Sequence, residues 1–98
     1  ALALIHHLAI SNNLPFEKIA EWFSLLSDNL IIEFVPKEDS QVQILLATRD
    51  DIFVKYTQVD FENTFNKYFD LIKSEQIIDS NRTLYLFRRK DSLINEEI

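Results

Sequence analysis

Glycine is entirely missing from these 98 residues, where about seven would be average for the length. Its absence removes every dinucleotide fingerprint, Walker loop and glycine-rich nucleotide turn from this segment. Each of those needs backbone without a Cβ close to phosphate or ribose. Cysteine is absent too, which rules out disulfides and thiolate metal sites here. There is no Met, so the sequence does not open on an initiator. No apolar run approaches the ~20 residues of a membrane span, and the basic, apolar, small-residue order of a signal peptide is lacking. A cytoplasmic protein with no membrane contact is therefore expected. Positive charge is also scarce, with 10 Lys and Arg against 16 Asp and Glu and a net charge of −6. The dense basic cluster Arg88-Arg89-Lys90 ends an apolar strand, so nucleic acid is not an expected partner.

What is present belongs to a globular chain: 47% hydrophobic and 12% aromatic residues, eight of them Phe, enough for one small core. The opening Ala1-Leu2-Ala3-Leu4-Ile5 reads as the second half of a buried parallel strand. Chain termini normally sit at the surface, so the run points to the C-terminal part of a larger α/β domain. The rival reading is a docked terminal strand from which Met was removed.

After the polar turn Ser11-Asn12-Asn13, Pro15 suits the first turn of a helix. Phe16, Ile19, Ala20, Phe23 and Leu26 form that helix's inward stripe, widened by Trp22 and Leu25. Leu30 to Val35 is a second strand, apolar on both faces except at Glu33 and stopped by Pro36. Lys37 to Ser40 is a polar loop, with Asp39 or Ser40 suited to cap a short helix whose stripe is Val42, Leu45 and Leu46. Asp50-Asp51 opens an irregular stretch through Tyr56. Thr57 and Asp60 begin another helix, whose inward face is Phe61, Phe65, Tyr68 and Phe69. Strands over 70–78 and 82–88 follow, joined by the turn Asp79-Ser80-Asn81, a link short enough only for an antiparallel pair. The order is β-α-β-α-α-β-β, with an α/β domain over 1–90 and a polar tail over 91–98. It fits a doubly wound sheet with one reversed strand near an edge.

Ala3-Leu4-Ile5-His6-His7-Leu8, Ile32-Glu33-Phe34-Val35-Pro36-Lys37 and Arg82-Thr83-Leu84-Tyr85-Leu86, in this order of elements, resemble the C-terminal half of class I S-adenosylmethionine-dependent methyltransferases. They are similar in particular to a bacterial nodulation-related subset. The resemblance implies a Rossmann-like sheet of order 3-2-1-4-5-7-6, of which this chain would supply strands 4, 5, 6 and 7, the last antiparallel. It also implies that the cofactor-binding residues, a glycine-rich loop after strand 1 and an acidic residue after strand 2, lie in an N-terminal half that is not here. S-adenosylmethionine would be bound by the complete enzyme only, and the isolated chain is expected to be inactive. The implied partners are a small-molecule or protein methyl acceptor and the missing N-terminal half.

In an open α/β sheet, ligands sit beyond the carboxyl ends of the parallel strands, which selects His6-His7 and the loop after Pro36. An imidazole near neutral pKa can take the proton from a methyl acceptor. On an extended chain, His6 and His7 would point to opposite sides, one to a ligand and the other into packing. The alternative gives both to loop hydrogen bonds and packing, and a metal site at the pair lacks a third ligand at useful spacing. Lys37 and Glu38 suit a pocket that orients a polar acceptor, or simply a solvated loop. Tyr56, in a loop, is the candidate for an exposed substrate contact. Glu33 needs a partner such as Arg82 or Arg49, since a carboxylate in an apolar strand is costly alone. A non-enzymatic interaction module is the rival function, in which the apolar first strand pairs with another chain, as in a homo-dimer.

Overall fold

The computed structural model describes residues 2–47 and 55–90. Ala1, Arg49, the Asp50-Asp51 stretch and the tail over 91–98 lie outside the described residues. Strand β1 (Leu2–Leu4) runs parallel to β2 (Asn29–Phe34) across the helix α1 (Phe16–Leu26). After β2 come the short α2 (Ser40–Leu46), then α3 (Gln58–Phe65), β3 (Phe69–Gln76) and β4 (Thr83–Arg89). The sheet order is β1-β2-β4-β3, and β4 is antiparallel to both of its neighbours. The result is a small α/β domain in which the last strand inserts between β2 and β3 instead of standing at the edge.

Local chemistry accounts for the boundaries. Asp39 caps α2 by accepting from Gln41 N at 2.9 Å, and Thr57 caps α3 by accepting from Asp60 N at 3.2 Å; both were expected. Pro15 stands just before α1, at its N-cap, rather than inside its first turn. The hairpin turns where Asp79 adopts φ 59°, closed by Ile77 N donating to Arg82 O at 2.9 Å. Among the described residues, the other left-handed position is Asn13, at φ 53°. In a chain without glycine, these two positions go to Asn and Asp, whose short polar side chains tolerate that region best.

Strand alternation puts Leu30, Ile32 and Phe34 of β2 on one face, in register with Tyr85 and Phe87 of β4. That face is buried under α1 and α3. Phe61 is at its centre, with ring centroids 4.6 Å from Phe65, 5.0 Å from Tyr85, 5.2 Å from Phe34 and 5.7 Å from Phe16. Such tilted and edge-to-face contacts suit the aromatic quadrupole. Phe69 joins this core from β3, not from the helix face expected for it, because α3 ends at Phe65. Tyr68, also expected inward, is half-buried and donates its hydroxyl to Glu17 at 2.7 Å.

Two expectations about burial are corrected. The opposite face of β2 was expected to be covered as well, yet Ile31, Leu84 and Leu86 are 39%, 39% and 36% exposed. Among the described residues, the helices that pack on the sheet bury the other face. In α1, Leu26 is 79% and Trp22 51% exposed, and Leu25 too faces solvent, while Ser24 is buried in their place. The cause is geometric. The Glu17 flank of α1 meets the turn that follows α3 through Lys67 at 3.3 Å and Tyr68. At 100° per residue, Trp22 and Leu26 fall on the opposite flank, where no described element stands.

Truncating the ring at the centre removes contacts to both helices and both inner strands. Phe61→Ala is expected to cost about 3–5 kcal/mol, measured as a lowered urea midpoint with an unchanged m-value.

Candidate functional site

The carboxyl ends of the two parallel strands converge on one cluster of ionisable groups. β1 ends at Leu4, and the chain coils at once: Ile5 is already buried in helical backbone, and His6 has φ −66° and ψ −30°. His7 to Ser11 then forms a π-helical turn, closed by Asn12 N donating to His7 O at 3.2 Å. Single π-turns of this kind recur at functional sites. The expectation that the two histidines sit on extended chain is therefore corrected. Their rings lie on one side, with centroids 4.2 Å apart and planes tilted by 37°.

Coiling divides the pair by environment. His6 is 2% exposed, and its Nδ1 has no hydrogen-bond partner among the described residues, whereas His7 is exposed. Burial holds the His6 imidazole below its ordinary pKa, and the neighbouring His7 and Arg82 act in the same direction; Asp39 and Glu33 oppose them. A neutral, desolvated imidazole with a free ring nitrogen is a competent hydrogen-bond acceptor.

Arg82, the residue before β4, supplies the cluster's cation. Its Nε donates to Asp39 Oδ2 at 2.9 Å and its NH2 group to Asp39 Oδ1 at 3.0 Å. The NH1 group donates to Glu33 Oε1 at 3.1 Å. The expected pairing of Glu33 with Arg82 is thus present. Glu33 leaves the core because strand alternation turns it away from Ile32 and Phe34. The Arg82 fork holds the Asp39 carboxyl below the usual range, helped by Gln41 N–H.

Of the two loop residues expected to line a pocket, Lys37 is half-buried and Glu38 exposed, both in the turn closed by Asp39 N donating to Pro36 O at 3.0 Å. Glu38 borders a shallow depression with Asp39, Ser40, Asp79, Ser80 and Asn81. Tyr56 is not the exposed contact expected of it. It is 4% exposed, stacks on Phe34 at 5.3 Å, and donates its hydroxyl to Val35 O at 2.6 Å. The hydroxyl lies under the end of β2, and burial raises its pKa. A larger cleft, about 510 Å³, opens on the helical layer between the start of α1 and α3, bordered by Leu14, Glu17, Lys55, Asp60 and Lys67. No described group of three or more His, Asp or Glu is placed to hold a metal ion. No helix among the described residues is long and apolar enough to cross a membrane.

The site therefore joins His6, His7, Glu33, Asp39 and Arg82, with Lys37 and Glu38 on its loop and Tyr56 behind it. The double contact of Arg82 with Asp39 had no sequence signal, because Asp39 lies in a polar loop where a solvated carboxylate needs no cation. Asp39, depressed in the folded state, contributes stability that is fully present above its unfolded pKa of about 3.9 and lost as pH falls through the lower folded value. Asp39→Asn is expected to lower stability at pH 7 by about 1–3 kcal/mol. In urea unfolding the gap from the parent chain narrows as pH falls below about 3.9 and closes only below the folded value.

No protein-family model matches the chain, and no solved structure matches it. The chain is similar to the nodulation protein NoeA of Rhizobium meliloti (strain 1021), with 41% identity over 91 residues, or 93% of this chain. Those residues are 19% of that protein, so the chain spans about a fifth of the length of the curated relative it matches. Over that stretch, this small α/β domain is related in sequence to a bacterial nodulation protein.

Proposed function

We propose that this chain is the acceptor-side half of a Rossmann-like, S-adenosylmethionine-dependent methyltransferase, inactive by itself and nodulation-related. The observation that carries the reading is the strand order β1-β2-β4-β3 with β4 reversed. It corresponds to the 4-5-7-6 portion of the methyltransferase sheet. The position of His6 and His7 beyond the carboxyl end of β1 agrees with it, since ligands of open α/β sheets sit there. The similarity to a nodulation protein supports only the nodulation-related part of the reading.

In this reading, His6 or His7 takes the proton of the acceptor nucleophile, and Lys37 and Glu38 line the acceptor pocket. The residues here do not fit the cofactor itself: the chain has no glycine to let backbone approach a nucleotide. The cofactor cradle belongs to residues outside these 98. Alignment and water exclusion, with one base, supply most of the rate in such a transfer.

Two measurements test this. Titration calorimetry of the 98-residue chain with S-adenosylmethionine is expected to give no binding heat, and methyl transfer by the isolated chain would overturn its assignment as an inactive half. Sequencing the coding DNA upstream of the Ala1 codon is expected to show a frame running on for about a hundred residues, with a glycine-rich loop after a strand. A start codon immediately before Ala1 removes the reading.

The uncovered residues Ile31, Leu84, Leu86 and Trp22 favour a second reading, a non-enzymatic interaction module that pairs through β1. Sedimentation at tens of micromolar, a range that detects weak pairs of about that Kd, is expected to show a dimer in that case. A clean monomer discards it.

A further inference from the structure

We propose that Arg82 is a positioning residue of the carboxyl-end site: its guanidinium locks the turn after β2 onto the start of β4 and holds the carboxylates of Glu33 and Asp39 beside His6. The role deepens the reading of His6 and His7 as working groups. Its test does not use methyl transfer, so the two stand or fall separately.

The geometry is that of a three-way clamp. Arg82 is itself aimed by the hairpin turn, since its N–H donates to Ser80 Oγ at 3.0 Å and its carbonyl accepts from Ile77 N at 2.9 Å. From there the fork reaches Asp39 and Glu33, 43 and 49 residues away in sequence. These side chains are 26%, 11% and 18% exposed for Arg82, Asp39 and Glu33, so water screens them only in part. Both Asp39 oxygens are engaged: Oδ1 by Gln41 N–H and an Arg82 NH2 proton, Oδ2 by Arg82 Nε. The N-cap of α2 and the ion pair thus share one carboxylate, and loosening the guanidinium frees the cap.

The fork is a property of arginine. Five N–H donors in a plane match a carboxylate with two parallel bonds, whereas a lysine ammonium is a point charge on a flexible stem. With two carboxylates against one guanidinium, the clamp carries a net charge of −1, so Arg82 is committed to the protein and is no anchor for an anionic ligand. The charged groups that bear on His6 come from every neighbouring element: His7 beside it, Arg82 from the start of β4, Asp39 from the cap of α2 and Glu33 from β2. The Tyr56 hydroxyl, close to Asp39 and Arg82, is bonded to Val35 O.

The experiment is NMR on the 98-residue chain, following the His6 ring through a pH titration and the Gln41 amide through hydrogen exchange. In Arg82→Gln, Glu33 and Asp39 lose their counter-charge. His6 is then expected to titrate at higher pH, and the Gln41 amide to exchange on the order of 10-fold faster, as for one hydrogen bond lost. Arg82→Lys keeps the charge without the fork. It is expected to return the His6 titration toward that of the parent chain while Gln41 exchange stays fast. A residue that only stabilises the hairpin would move neither readout separately from global unfolding. Parent-like His6 titration together with parent-like Gln41 exchange in Arg82→Gln overturns the proposal. Should that variant fail to fold, Arg82→Lys decides alone: parent-like exchange at Gln41 overturns it, and fast exchange with a retained His6 titration supports it.

Discussion

Everything that positions the site hangs on the packing around Phe61. Its ring touches both inner strands and both long helices, so the orientation of β2 and β4 is decided there. Once Leu30, Ile32 and Phe34 are committed to that core, strand alternation leaves Glu33 no choice of face. It emerges beside the end of β1, where His6 leaves the sheet and Arg82 enters it. A buried aromatic cluster thereby sets the geometry of a polar one that shares none of its residues.

The same one-sided packing leaves apolar side chains uncovered. Three features stand out among the described residues. β1 is an end strand, the far flank of α1 presents Trp22 and Leu26, and the open face presents Ile31, Leu84 and Leu86. Toward β3 that face becomes charged: Lys73 and Glu75, 3.8 Å apart, stand in register with Leu86 and Leu84. Leu71 and Ile72 of β3 are uncovered as well, so exposed apolar side chains occur on β2, β4 and β3 alike.

Within the site, electrostatics and desolvation work against each other at His6. Burial and the nearby cations disfavour its protonation, while two carboxylates favour it. The outcome depends on how firmly those carboxylates are held elsewhere, and Arg82 is what holds them. The exposed His7, 4.2 Å away, gives the pair one ring in water and one out of it. That arrangement follows from the helical backbone at His6, not from the residue types.

Much of the fold was legible in the residues because its determinants are local. Asp39 and Thr57 announce helix starts, Asp79-Ser80-Asn81 a tight turn, and period-two or period-four apolar spacing the elements between them. That Glu33 needs a cation could be anticipated as well, since a carboxylate in an apolar strand is costly alone, but Arg82 and Arg49 were both open. Other features were not legible because they depend on what stands next to an element. Trp22, Leu25 and Leu26 satisfy a helical stripe as well as Ile19 does, yet no described element covers them. Tyr56 has the sequence surroundings of an exposed loop residue, but its position under Val35 depends on how the chain returns to the sheet. By itself, then, the sequence determined the elements, the caps, the turns and the exclusion of a glycine-built nucleotide loop, all of which act over a few residues of chain. Tertiary structure decided which apolar faces are covered, which histidine is dry and which carboxylates share Arg82, because burial and ion pairing are relations between residues far apart along it.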